Sequence, residues 1–232
     1  MKSLTKAVFH ANMELPKHEL VSFTWGNVSG INRKRGLVVI KPSGVEYEKL
    51  TFYDMVPVDT EGNVLQGKLR PSVDLPTHLS LYKSFPEIGG IVHTHSPWAT
   101  IYAQCGMDIQ AFGTTHADHF YGSIPCTRAL SDDEVAGDYE ENTGLVIAET
   151  FRVRGINPLE MPGVIVKNHG PFAWGATPAE AVKNAAILEK VAFMAYHTQV
   201  LAGTQTVTVS PTLLKKHYER KHGKNSKYGQ AK

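Results

Sequence analysis

Leu4, Val8, Ala11 and Leu15 recur every three to four positions, the period of one helix face, and Pro16 disfavours continuation. A first helix is therefore predicted to end there. Short β-rich runs follow: Gly36 to Lys41, bounded by Pro42-Ser43-Gly44, and Gly89 to His95 are predicted strands. Ser96-Pro97 sets a capping residue before a proline at the first helical position, which predicts a helix over Trp98 to Cys105. Ser131-Asp132-Asp133-Glu134 has capping-box spacing and predicts a short helix, while Val146 to Arg152 reads as a strand or a helix edge. Pro162 to Lys167 is a clearer strand, ended by His169-Gly170-Pro171. Beyond it, Thr177-Pro178-Ala179-Glu180 caps a long helix carrying Val182, Ala185, Leu188 and Ala192. Gly113 to His119 follows neither period and reads as a loop. Strands separated by helices, without strict βαβ regularity or an internal repeat, predict a single α/β domain.

The 232 residues suffice for one sizeable core, and a net charge of +2 with interspersed signs gives no footprint for nucleic acid. Two cysteines, Cys105 and Cys126, are too few for a disulfide framework. Met1 to Ala7 lacks the apolar core of a signal peptide, and no run is long enough to span a bilayer. The expectation is a soluble, cytoplasmic protein with a small-molecule partner and no membrane partner. Lys215 to Lys227 breaks the pattern with a dense basic stretch, the composition of a solvated tail.

His93-Thr94-His95 carries the strongest chemical signal. Side chains two apart on a strand share a face, so both imidazoles can meet one ion while Thr94 turns away. With His169 added, three nitrogens suit zinc or a neighbouring metal and leave a position open for water or substrate, as in a catalytic site. Asp74, beside turn residues and ahead of a helical pattern, could cap that helix or join the metal. Thr24 to Ser29 and Lys41 to Gly44 are glycine-bearing turns whose backbone N–H groups could cradle a phosphate. Neither is a Walker loop or a dinucleotide fingerprint. Asp118 lies in the Gly/Thr-rich segment, where it could pass protons or form a turn.

Together, Leu15-Pro-Lys-His18, Thr24-Trp-Gly-Asn-Val-Ser29, Ile40-Lys-Pro-Ser-Gly-Val45, Gly89-Gly-Ile-Val-His-Thr-His-Ser96, Gly113-Thr-Thr-His-Ala-Asp118, His169-Gly-Pro-Phe-Ala-Trp-Gly175 and Tyr228-Gly-Gln230 resemble the class II aldolase and epimerase family. The likeness runs from Leu4 to Gln230. It implies a central, mainly antiparallel β-sheet flanked by helices, one domain over residues 1–232, and a homotetramer. It implies Zn2+ (or another divalent metal) at His93, His95 and His169 with Asp74 beside it. A substrate phosphate would lie on Gly26, Asn27, Ser43, Gly44, Ser72 and Val73. Asp118 and Tyr228 would be the two acid/base groups, supported by Glu140 and His217. Tyr228 would come from a neighbouring subunit, brought by a basic tail of about 212–232, so that active sites are shared. The implied reaction interconverts L-ribulose 5-phosphate and D-xylulose 5-phosphate, a phosphorylated ketopentose pair, by retro-aldol cleavage and re-addition at C3–C4. Two positions depart from the family pattern: Val73 replaces a serine, and Lys167-Asn168 replaces a His-Ser pair, putting a charge near the rim of the site. The alternatives are a sugar-phosphate aldolase releasing dihydroxyacetone phosphate and an aldehyde, a sugar-phosphate dehydratase, and a non-catalytic binding module on the same fold. Aspartate rather than glutamate at position 74 favours epimerisation, and retention of all three histidines disfavours the binding module.

Overall fold

Alternation along short strands decides which face of a sheet each side chain occupies. In the computed structural model, which describes residues 2–223 and 226, β1 (Asn27–Asn32), β2 (Leu37–Ile40), β3 (Val56–Asp59), β4 (Gly90–His93), β5 (Gly163–Val166) and β6 (Gly170–Gly175) form one antiparallel sheet in the order β3-β2-β1-β4-β6-β5. Val38, Ile40, Ile91, Phe172 and Trp174 point to one face and Leu37, Val39, Val28, Val92 and Ala173 to the other. Each face has its own apolar layer, so β2 and β5, buried on both sides, read as continuous apolar runs.

Helix α1 (Lys2–Lys17) covers the second face through Val8, Ala11 and Leu15. The first face is covered by α2 (Leu75–Ser84), α3 (Pro97–Cys105) and α6 (Tyr139–Arg154). Helix α7 (Pro178–Ala202) serves both layers, with Ala181, Val182 and Ala185 in one and Leu188, Val191 and Ala192 in the other. The remaining helices are α4 (Thr114–Ala117), α5 (Asp132–Ala136) and α8 (Pro211–His222). The antiparallel sheet flanked by helices is the expected architecture.

Several local expectations change. Helix α1 runs through Pro16 to Lys17, because a proline in the last turn forfeits little of the ladder. Val146 to Arg152 lies inside α6 and is no strand. The Gly113–His119 segment is not all loop, since α4 occupies its centre. Thr24 to Ser29 is a turn only as far as Gly26, after which β1 begins. The predicted box at Ser131 is present, with Ser131 N–H donating to Glu134 Oε2 at 2.7 Å and Glu134 N–H to Ser131 Oγ at 3.3 Å. The described part of the basic stretch is helical and packs on α4. No described helix is long and apolar enough to cross a membrane.

Candidate active site

Strand β4 ends at His93, which pairs in register with Phe172 of β6, and the His93 imidazole stacks on the Phe172 ring at 4.1 Å. His95 lies just past the strand end, yet its Nε2 comes within 3.1 Å of His93 Nε2. His169 arrives from the turn between β5 and β6. That turn depends on Asn168, held at a left-handed φ of 63°, a conformation asparagine tolerates better than most residues. The ring centroid of His169 is 4.7 Å from that of His93 and 5.1 Å from that of His95. The ligand atoms of the three residues all lie within 4.8 Å of one another.

The donor set suits a cation. His93 Nδ1 is 3.0 Å from Pro171 O, and only a protonated Nδ1 can bond a carbonyl, so Nε2 presents its lone pair to the other rings. Burial, then the neighbouring His93 and His95, lowers the His169 pKa to about 3, and burial lowers that of His95 as well. Neutral imidazoles are what a metal requires. Tyr139 Oη stands 3.4 Å from His169 Nδ1.

Asp74 occupies the N-cap position of α2 without making a capping bond. Its carboxylate turns instead to Asn27 Nδ2 (2.6 Å) and Ser72 Oγ (3.3 Å), so capping, the commoner role of such an aspartate, is not its role here. Burial alone would raise its pKa, but His93, His78, the Asn27 hydrogen bond and His169 together hold it below the usual range. The group is therefore an anion beside the three imidazoles, although the convergent cluster is formed by the histidines.

These residues line an open cleft of about 610 Å³. Gly26, Asn27, Ser43, Gly44, Ser72, Val73 and Glu140 all line it. Five further residues line it: Thr24, Trp25, Lys41 and Pro42 belong to the two glycine-bearing turns but were not named individually, and Tyr139 escaped the sequence reasoning. Lys41 places a charge at the end of the apolar strand β2. Its stem is buried, its Nζ donates to Val45 O at 2.7 Å and lies 4.9 Å from the Tyr47 ring centroid, and burial lowers its pKa to about 8. Lys167, by contrast, packs its side chain against Gly106 and does not line the cleft.

Asp118 also lies outside this chain's own cleft. It ends α4 and is clasped by α8: His217 Nδ1 at 2.9 Å, Arg220 Nη2 at 2.9 Å and Lys221 Nζ at 3.3 Å. Burial acts to raise its pKa, yet the bonds from Arg220 and His217 and the charge of Lys221 lower it overall. The structure thus joins Asp118 to His217 but not to the histidines, and Tyr228 lies outside the described residues.

Comparison with known proteins agrees with this geometry. The family described as Class II Aldolase and Adducin N-terminal domain matches residues 6–196. L-ribulose-5-phosphate 4-epimerase UlaF of Salmonella paratyphi B is 55% identical over 230 residues, spanning 99% of this chain and all of that protein, and its counterpart in Salmonella typhi matches equally. Among solved structures, an L-fuculose 1-phosphate aldolase superposes with a TM-score of 0.77 at 22% identity, covering 94% of this chain and 95% of its own. The L-fuculose-1-phosphate aldolase of Thermus thermophilus gives 0.67 at 24% identity, covering 88% and 98%. The chain belongs to the class II aldolase and adducin N-terminal domain family.

Proposed function

We propose that this chain is an L-ribulose-5-phosphate 4-epimerase, interconverting L-ribulose 5-phosphate and D-xylulose 5-phosphate. One observation carries the reading: end-to-end likeness to epimerases coincides with a cleft that brings His93, His95 and His169 opposite a turn rich in anion donors. A divalent ion, zinc in our reading, would be held by the three imidazoles with Asp74 beside it, and would supply Lewis-acid stabilisation of charge developing on the substrate oxygens.

The substrate dictates the route. C4 is a carbinol carbon not adjacent to the C2 carbonyl, so its hydrogen is not acidic and direct deprotonation cannot invert it. A base instead removes the C4 hydroxyl proton, the C3–C4 bond breaks, and its electron pair passes to the C1–C3 fragment as the enediolate of dihydroxyacetone. Because the phosphate is on C5, the other fragment is glycolaldehyde phosphate. That aldehyde turns its opposite face, C3 attacks, and an acid protonates the new C4 oxygen.

Gly26, Asn27, Ser43, Gly44, Ser72 and Val73 would grip the C5 phosphate through backbone and hydroxyl donors, with Lys41 adding positive charge. Val73 offers only its backbone N–H. Asp118 and Tyr228 would be the proton carriers on the two faces. Asp118, held by α8 outside its own cleft, suits delivery to a neighbour's cleft within a homotetramer. Tyr228 follows α8 by six residues in the sequence, so in our reading both carriers come from the same neighbouring chain, where the sequence led to the expectation of one from each subunit. Incubating the metal-loaded protein with L-ribulose 5-phosphate tests the reading. D-xylulose 5-phosphate should be the main product, with free fragments in trace; stoichiometric accumulation of dihydroxyacetone and glycolaldehyde phosphate would make the chain an aldolase.

A further inference from the structure

Trp25 is a large apolar side chain left 53% exposed at the mouth of the cleft, where its ring centroid lies 6.3 Å from that of His95. Its backbone is fixed. The Trp25 N–H donates to Ser22 O at 3.1 Å, and the Tyr47 hydroxyl donates to Trp25 O at 3.1 Å and Gly26 O at 2.9 Å. Phe23 meets the indole edge-on at 5.7 Å. Phe23 is itself 79% exposed and held at a left-handed φ of 55°, a conformation unfavourable for an L-residue. Strain of this kind persists where surrounding structure enforces it, and here it displays two aromatic rings to solvent beside the cluster.

We infer that Trp25, braced by Phe23, is a positioning residue: its indole walls the two-carbon aldehyde fragment between the phosphate turn and the three histidines while that fragment turns over. The inference rests on the epimerase reading. Trp25 precedes Gly26 of the phosphate turn and neighbours His95, so a substrate bridging the two sites passes along the indole. The fragment must rotate while tethered by its phosphate. A hydrogen-bonding wall would hold one orientation of the aldehyde oxygen, whereas a π-face favours neither and yields both epimers. The same ring excludes water, which would otherwise protonate the enediolate at C3 and release both fragments.

The test compares wild type, Trp25→Ala and Trp25→Phe as full-length, metal-loaded protein, measuring KM, kcat, ion content, and the ratio of released glycolaldehyde phosphate to epimer. Trp25→Ala should raise that ratio roughly three- to ten-fold, the factor expected from one lost aromatic contact, with ion content and melting temperature unchanged. Trp25→Phe should restore most of the wild-type ratio. A Trp25→Ala ratio equal to wild type, or a Trp25→Phe ratio as high as that of Trp25→Ala, overturns the inference while leaving the epimerase reading intact. Wild type that forms no epimer overturns both.

Discussion

Gly26 and Gly44 sit in the two candidate phosphate turns at left-handed φ, 75° and 68°, but a methyl group added to each meets different surroundings. At Gly26 it would lie 2.7 Å from Val21 Cγ1 and 2.9 Å from the backbone oxygen of His93; at Gly44 it would meet nothing within 4 Å. Gly44→Ala therefore carries only the left-handed penalty, about 1–2 kcal/mol. Gly26→Ala adds an overpacking cost of about 1–3 kcal/mol, because the His93 oxygen belongs to a paired strand and cannot step aside. The sums are about 1–2 and about 2–5 kcal/mol, and each kcal/mol lowers Tm by roughly 2–4 °C in a domain of this size. Thermal melting followed by circular dichroism measures the difference. Gly26→Ala should also raise KM, since relieving the contact pushes the turn away from His93. Equal melting temperatures for the two variants, or a larger loss at Gly44, would refute the reasoning.

Other outcomes follow from the same geometry. His95→Asn should lose the bound ion, checked by elemental analysis of purified protein against wild type. Lys41 is protonated below its lowered pKa of about 8 and neutral above it, so affinity for inorganic phosphate should fall as pH rises through 8. Isothermal titration between pH 7 and 9.5 would show this, and the decline should vanish in Lys41→Met. Asp118→Asn should cost roughly 10²–10⁴-fold in kcat with metal retained, as for a positioned acid/base. Refolding Asp118→Asn chains together with His95→Asn chains should restore roughly a quarter of sites if Asp118 serves a neighbour's cleft. Mixing Asp118→Asn with Tyr228→Phe should restore none, because both groups then come from one chain.

The His-x-His pair was legible because extended chain puts side chains two apart on one side, although β4 ends at His93 and His95 lies just past it; register with Phe172 adds the ring on which His93 stacks. His169 could be offered as the third imidazole, but its delivery could not be read, since the Asn168 turn that brings it in is a matter of one dihedral angle. Helix α6 was obscured because its buried stripe includes Thr143, Gly144 and Thr150, which blur the apolar period. Gly144 stands there for closeness: a Cβ would come within 2.6 Å of Ser80 Cβ on α2. Strand β6 was hidden by glycine and proline at its start. The separation of Asp118 from its own cleft was invisible, because it depends on contacts with His217 and Arg220, about a hundred residues away in sequence.

Metal titration with product identification tests the central claim most directly. Ion-free wild type and His95→Asn would each receive zinc in increments, with L-ribulose 5-phosphate present and D-xylulose 5-phosphate quantified at each step. The account predicts that epimer formation in wild type rises to saturation at one ion per chain and stays near zero in His95→Asn. Full epimerisation by ion-free wild type, or saturation of the His95→Asn variant at the same stoichiometry and rate, would contradict it.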